Sequence, residues 1–129
     1  MTRLHFVCKL NPEIYRVVTE DIACDEVIIT EKQIEHIKER HPDDYELFAK
    51  YAVLAITEPD YIIEANKPNT AVVLKEITLD EQRVKLILRI KTSTDPAEYK
   101  NSIITFQHVR DKEWRRLLKN GNILYKQVV

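Results

Sequence analysis

The sequence predicts an α+β domain in which N-terminal helices pack on one face of a mainly antiparallel sheet of roughly four to five strands. A chain of 129 residues suits one domain. Its 44% hydrophobic and 32% charged residues exclude a disordered chain and a membrane protein. Helical periodicity dominates the first half and β-branched runs the second half, which is the element order of an α+β fold.

The first residues predict a hairpin. Apolar and polar residues alternate from Leu4 to Leu10 and from Glu13 to Val18, and Asn11-Pro12 between them is a turn signal. We therefore treat residues 1–26 as a hairpin-like extension, available for dimerisation or for contact with another protein. Residues 27–129 then form the main domain.

Two helices should follow. Thr30 and Gln33 have the spacing of a capping box, and Pro42 prevents the first helix from continuing past Arg40 or His41. The second helix should run from Asp43 to about Ile56, because its apolar residues recur at helical spacing.

Strands and one more helix complete the prediction. Ile- and Val-rich runs predict strands over 61–64, 71–78, 83–92 and 102–109, a helix capped by Asp111 over 112–119, and a last strand over 123–126. Gly121, the single glycine, should adopt the left-handed conformation that ends a helix. With one glycine, the chain cannot contain the glycine loops that hold nucleotide phosphates.

A basic ladder occupies one strand. The period of two places Arg83, Lys85, Arg89 and Lys91 on one side and four aliphatic residues on the other. The chain is also polarised, with net charge −6 over residues 1–74 and +5 over 75–129. Two interpretations stay open: the cations pair with acidic neighbours such as Glu64 and Glu76, or they form a track for phosphates.

Other reactive groups cluster at the predicted helix end. His41 can exchange protons near neutral pH, and Arg40 beside it can hold a phosphate. His36 should point elsewhere. Thr105 should lie beside the basic ladder, and Lys75 offers a further cation in the preceding strand.

Several residues are expected to be structural. His108 should end its strand, and the acid pairs Asp43-Asp44 and Asp25-Glu26 should cap helices or loops. Cys8 and Cys24 should be reduced thiols, because the N-terminus lacks a signal-peptide pattern and the protein should remain cytoplasmic. Neither cysteine has zinc-ligand spacing. This inventory suits a metal-free reaction, namely attack of an RNA 2′-hydroxyl on its own phosphate.

Four short segments resemble a known family: Ile37–Pro42, Pro59–Ile63, Lys100–Phe106 and Ile123–Lys126. In this order they are similar to the phage-associated barnase/EndoU/colicin/RelE-like nuclease domains, from about Ile28 to the C-terminus. The resemblance implies a helix-then-sheet fold and a metal-independent RNA endonuclease. Its motifs correspond to the following residues of this chain: Arg40, His41, Lys75, Arg89, Ser102, Thr105, Tyr125 and Lys126.

The leading hypothesis is a toxin-like ribonuclease without metal or other cofactor. His41 would exchange protons, and the phosphate would be held by Arg40, Lys75 and Arg89, with a hydrogen bond from Thr105 or Ser102. The residues expected to bind RNA are Arg83, Lys85, Lys91, Ser102, Tyr125 and Lys126. Expected partners are RNA, with tRNA one candidate, and an immunity or phage structural protein, but no membrane. The alternative is a non-catalytic module whose basic sheet face binds RNA or a phage protein.

Overall fold

The computed structural model describes residues 3–128, which contain seven strands and four helices. In chain order they are β1 (Leu4–Lys9), α1 (Pro12–Tyr15), β2 (Glu26–Thr30), α2 (Glu31–Arg40), α3 (Pro42–Thr57), β3 (Tyr61–Glu64), β4 (Thr70–Ile77), β5 (Gln82–Arg89), β6 (Asn101–His108), α4 (Asp111–Asn120) and β7 (Ile123–Lys126).

All seven strands form one sheet in the order β1-β2-β6-β5-β4-β3-β7. Neighbouring strands are antiparallel except β2 and β6, which are parallel. The α+β class is therefore confirmed. The predicted size of four to five strands is wrong, because β1 and β2 join the predicted strands at one edge of the sheet.

The N-terminal hairpin is not formed. β1 pairs with β2, from Leu4 opposite Thr30 to Lys9 opposite Glu26. The intervening Asn11-Pro12 begins a helix, because the Asn11 side chain accepts a hydrogen bond from the Glu13 N–H and proline suits the first helical position. The predicted boundary after residue 26 thus lies at the start of β2, the strand that pairs with β1.

Helices α2 and α3 pack on one face of the sheet. Thr30 caps α2 by accepting a hydrogen bond from the Gln33 N–H, as predicted. The main core joins these helices to the aliphatic side of β5, where Val84, Leu86 and Leu88 are fully buried. This side of β5 is the one that the alternation assigned to the core.

Helix α4 packs on the opposite face, which the sequence predicted to be open. Trp114 of α4 is buried against Ile63 and Leu74, and its ring meets that of Tyr61 edge-on at 6.1 Å. Helices therefore cover parts of both faces. The sequence did not predict that α4 covers this face. The apolar side of α4 is short, and its residues do not indicate which face of the sheet the helix contacts.

Gly121 does follow α4, but its predicted left-handed conformation is wrong. Its φ is −80°, a value that any residue can adopt. Glycine is needed for space, because a Cβ at this position would lie 2.5 Å from the Leu117 carbonyl oxygen and 2.7 Å from Ile63 Cγ2.

Both cysteines are free thiols. Cys8 is buried, and burial raises its pKa to about 11, so its thiol stays protonated and unreactive at neutral pH. Within residues 3–128, no helix has the length and apolar character needed to cross a membrane.

Candidate active site

The junction between α2 and α3 lies beside the second half of β6. β2 pairs with β6 only at Val27 and Ile28, after which Thr30 turns the chain into α2. Beyond these two residues β6 has no strand partner on that side within the described part of the chain, and both helices pack against it. His41, the residue between the two helices, is thereby brought to the end of β6.

Asp44 and His108 form the best-defined polar contact at this corner. The His108 Nδ1 atom lies 2.6 Å from the Asp44 Oδ1 atom, a short distance for a hydrogen bond to a carboxylate. Asp44 is 2% exposed, whereas 37% of the His108 side chain is exposed. An ionised carboxylate only accepts hydrogen bonds, so this contact places a proton on Nδ1 and leaves Nε2 for chemistry.

Asp44 is held at the start of α3. It lies in the first turn of α3, where the helix dipole stabilises a negative charge. Among the described residues, the Asp44 Oδ2 atom is buried and has no hydrogen-bond partner. Buried polar atoms are normally satisfied, so the carboxylate has an unused acceptor beside the histidine.

His41 lies next to this pair. Its ring meets the ring of His108 edge-on, with 5.7 Å between centroids. The residue is exposed, and its backbone both ends α2 and begins α3, which orients the imidazole without a side-chain cap bond. Two imidazoles and one carboxylate therefore meet at a single corner of the fold.

Cations lie on one side of the two histidines. A cavity of about 550 Å³ is lined by His41 and His108 together with three cations that follow β6, namely Arg110, Lys112 and Arg116. Of these, Arg116 lies 3.8 Å from Glu113, a long ion pair on an exposed side chain that is easily exchanged for another anion.

Arg40 and Thr105 are also at this corner. Both line a small cavity of about 70 Å³ together with His41 and Asp44. The Arg40 Nη1 atom is 3.5 Å from His36 Nε2, so His36 also lies closer to the site than expected. The structure thus brings together three of the predicted catalytic residues: Arg40, His41 and Thr105.

Lys75 has a different environment. It is opposite Val84 on β5, so it lies on the face covered by α2 and α3 and not on the face that carries the basic ladder. Its buried ammonium donates to the Glu58 carbonyl oxygen at 2.6 Å and to the Asp60 carboxylate at 3.3 Å. Lys75 therefore holds the connection between α3 and β3.

We expect Lys75→Met to lower the free energy of unfolding by about 1–3 kcal/mol, because it removes two part-buried hydrogen bonds of a buried ammonium. The activity of the folded fraction should change little. Urea denaturation and an active-site-normalised rate measure the two effects, with the exposed Lys126→Met as the control. A stable variant with no activity would contradict the structural role.

Three cations of the basic ladder share one face of β5, as predicted, whereas Lys91 lies beyond the end of the strand. All four make polar contacts within the fold. Arg83 bonds Asp111 and Lys85 bonds Glu113, both at the start of α4, and Arg89 bonds Asp95. Lys91 donates to the Ala97 carbonyl oxygen. These partners are not the predicted Glu64 and Glu76.

Two of the acids that pair with ladder cations have lowered pKa values. The Arg83 guanidinium beside Asp111 holds the pKa of that carboxyl below its usual range. A hydrogen bond from the Thr92 backbone N–H, with Arg89 nearby, does the same for the pKa of Asp95. Much of the ladder's charge is thus neutralised within the fold.

The other predicted residues lie away from the histidines. Arg89 and Ser102 face each other at the far end of their strands, roughly 16 Å along β5 from Val84, the residue opposite His108. Tyr125 and Lys126 are on β7, four strand spacings or about 19 Å from β6. Neither Arg89 nor Ser102 lines the two cavities that contain the histidines.

Asp44 and His108 were not predicted as site residues. Each has an ordinary local role, one in the first turn of a helix and the other at a strand end. They are 64 positions apart, and no spacing links them. The available signal was the parity of His108, which it shares with the buried Phe106.

The chain matches a known protein family. A family model described as phage-Barnase-EndoU-ColicinE5/D-RelE like nuclease2 matches residues 9–126. Searches of curated proteins and of solved structures found no match. The family match begins well before Ile28, where the resemblance was expected to start, and takes in α1. The chain belongs to this family of phage-related nuclease domains.

Proposed function

We propose that this protein is a metal-independent RNA endonuclease in which His108 and His41 exchange the protons. The observation that carries the proposal is the hydrogen bond between buried Asp44 and half-exposed His108, with His41 beside them. A carboxylate that fixes the tautomer of an imidazole prepares its other nitrogen to act as a base.

In this mechanism His108 Nε2 takes the proton of the RNA 2′-hydroxyl, whose oxygen attacks the adjacent phosphorus. Protonated His41 gives a proton to the departing 5′-oxygen. The bond from phosphorus to the 5′-oxygen breaks, and the products are a 2′,3′-cyclic phosphate and a 5′-hydroxyl. Asp44 stabilises the imidazolium that forms on His108.

The cations at the site supply charge stabilisation. Arg40, Arg110 and Arg116 line the cavities that contain the histidines, and the transition state places extra negative charge on the phosphate oxygens. Guanidinium groups suit this task because they bind phosphate oxygens in pairs. Thr105 is placed to donate one more hydrogen bond.

The test is cleavage of a fluorescent oligoribonucleotide in EDTA, with the product ends identified by mass spectrometry. We expect 2′,3′-cyclic phosphate ends, no cleavage of the 2′-deoxy analogue, and a rate that rises and then falls with pH, because one imidazole must be neutral and the other protonated. His41→Ala should reduce the rate by about 10²–10⁴-fold. His5→Ala, at the edge strand β1, is the matched control.

Three outcomes would contradict the proposal: RNA left intact at high protein concentration, a metal requirement, or an active His41→Ala variant. Binding of RNA without cleavage would favour the alternative of a non-catalytic module that uses its basic residues only to hold RNA.

A further inference from the structure

A larger groove lies on the face of the sheet that carries α4. Its volume is about 740 Å³, within the range of ligand-binding clefts. Aliphatic side chains of three adjacent strands, Val72, Ile87 and Ile104, form part of its lining. Lys67, Arg89 and Arg116 supply cations at the same groove.

The groove adjoins the candidate active site. Ile104 also lines the small cavity that contains His41 and Thr105, and Arg116 also lines the cavity that contains both histidines. The groove and the two cavities are therefore neighbours on the protein surface.

Ile104 has an unusual position for an aliphatic residue. The register of β5 and β6 shifts between Ile87 and Leu88, and Ile104 is the residue of β6 that this bulge leaves unpaired. It is 40% exposed. Bulges next to active sites commonly re-aim a side chain, and this one presents an apolar surface to the groove.

The combination of lining groups indicates the ligand. A nucleobase has flat apolar faces that pack against aliphatic side chains, and the phosphates on either side of it attract cations. A base-paired duplex would keep its bases stacked inside the helix and out of such a groove. An unpaired nucleotide fits both the apolar lining and the cations.

We propose that this groove binds a nucleotide that adjoins the scissile phosphate of single-stranded RNA. The inference rests on the proposed function and assigns Arg89 to substrate binding rather than to proton transfer or cleavage. Part of the Arg89 side chain is exposed beside its ion pair with Asp95, where it can meet a phosphate.

The experiment measures binding apart from cleavage. A fluorescein-labelled single-stranded oligoribonucleotide is titrated with the His108→Ala protein, and its anisotropy gives Kd. Adding Ile104→Glu should weaken binding at least about tenfold, because the carboxylate repels phosphates and removes apolar contact. Val53→Glu is the matched control, since Val53 is 48% exposed on α3 and outside the groove.

A second variant guards against misfolding. Lys67→Ala, in the exposed loop between β3 and β4, should lower the slope of log Kd against log salt by roughly 0.7, while Lys9→Ala on β1 should leave the slope unchanged. Circular dichroism verifies the fold of each protein. A duplex of the same sequence should bind more weakly than the single strand.

Equal effects of Ile104→Glu and Val53→Glu would overturn the groove assignment, as would equal binding of duplex and single strand. If groove variants lose binding while the parent protein fails to cleave RNA, the groove stands and the proposed catalysis fails. If the parent cleaves RNA but Ile104→Glu and Lys67→Ala bind normally, the catalysis stands and the groove fails.

Discussion

Asp44→Asn is expected to lower the rate constant of RNA cleavage by about 10²–10⁴-fold while the protein remains folded. The carboxylate keeps a proton on His108 Nδ1 and leaves Nε2 free. An amide presents its own N–H groups to the ring, which favours the opposite tautomer and occupies the catalytic nitrogen. It also removes the negative charge that stabilises the imidazolium.

Single-turnover kinetics with a defined oligoribonucleotide measure this effect. Asp43→Asn is the matched control, because Asp43 lies in the same first turn of α3 but is exposed. The double variant of Asp44→Asn with His108→Ala should be about as slow as His108→Ala alone, since the two residues act as one unit. Independent, additive losses would contradict the pairing.

Gly121→Ala is expected to lower the free energy of unfolding by about 1–3 kcal/mol, the usual cost of forcing an extra group into a packed site. The added methyl group would meet a backbone carbonyl at 2.5 Å and the Ile63 side chain at 2.7 Å. Because the carbonyl belongs to the last turn of α4, relief of the clash must move the end of the helix.

Urea denaturation measures this loss. The neighbouring Asn120→Ala, at an exposed helical position, should change stability by no more than about 0.5 kcal/mol. A Gly121→Ala protein as stable as Asn120→Ala would contradict the requirement for glycine at this position.

Local patterns determined most elements of the fold. Thr30 as an N-cap, Pro42 as the limit of α2 and the alternation along β5 all operate over a few residues, and each was predicted correctly. Asn11-Pro12 shows the limit of such patterns, since the same pair suits a tight turn and a helix start. Tyr15 is buried, and its hydroxyl donates a hydrogen bond to the Ile56 carbonyl oxygen. This contact favours helix α1.

The sequence by itself determined the α+β class, the resemblance to a nuclease family, and the presence of Arg40 and His41 at a helix end. Only the tertiary structure decided which groups meet there. Asp44 and His108 come together because β2 ends at Thr30 and the helices that follow it pack against β6. Lys75 was predicted as a site residue, but the tertiary structure gives it hydrogen bonds to Glu58 and Asp60 in the connection between α3 and β3. A pattern along the chain records the neighbours of a residue in sequence, whereas proton transfer depends on its neighbours in space.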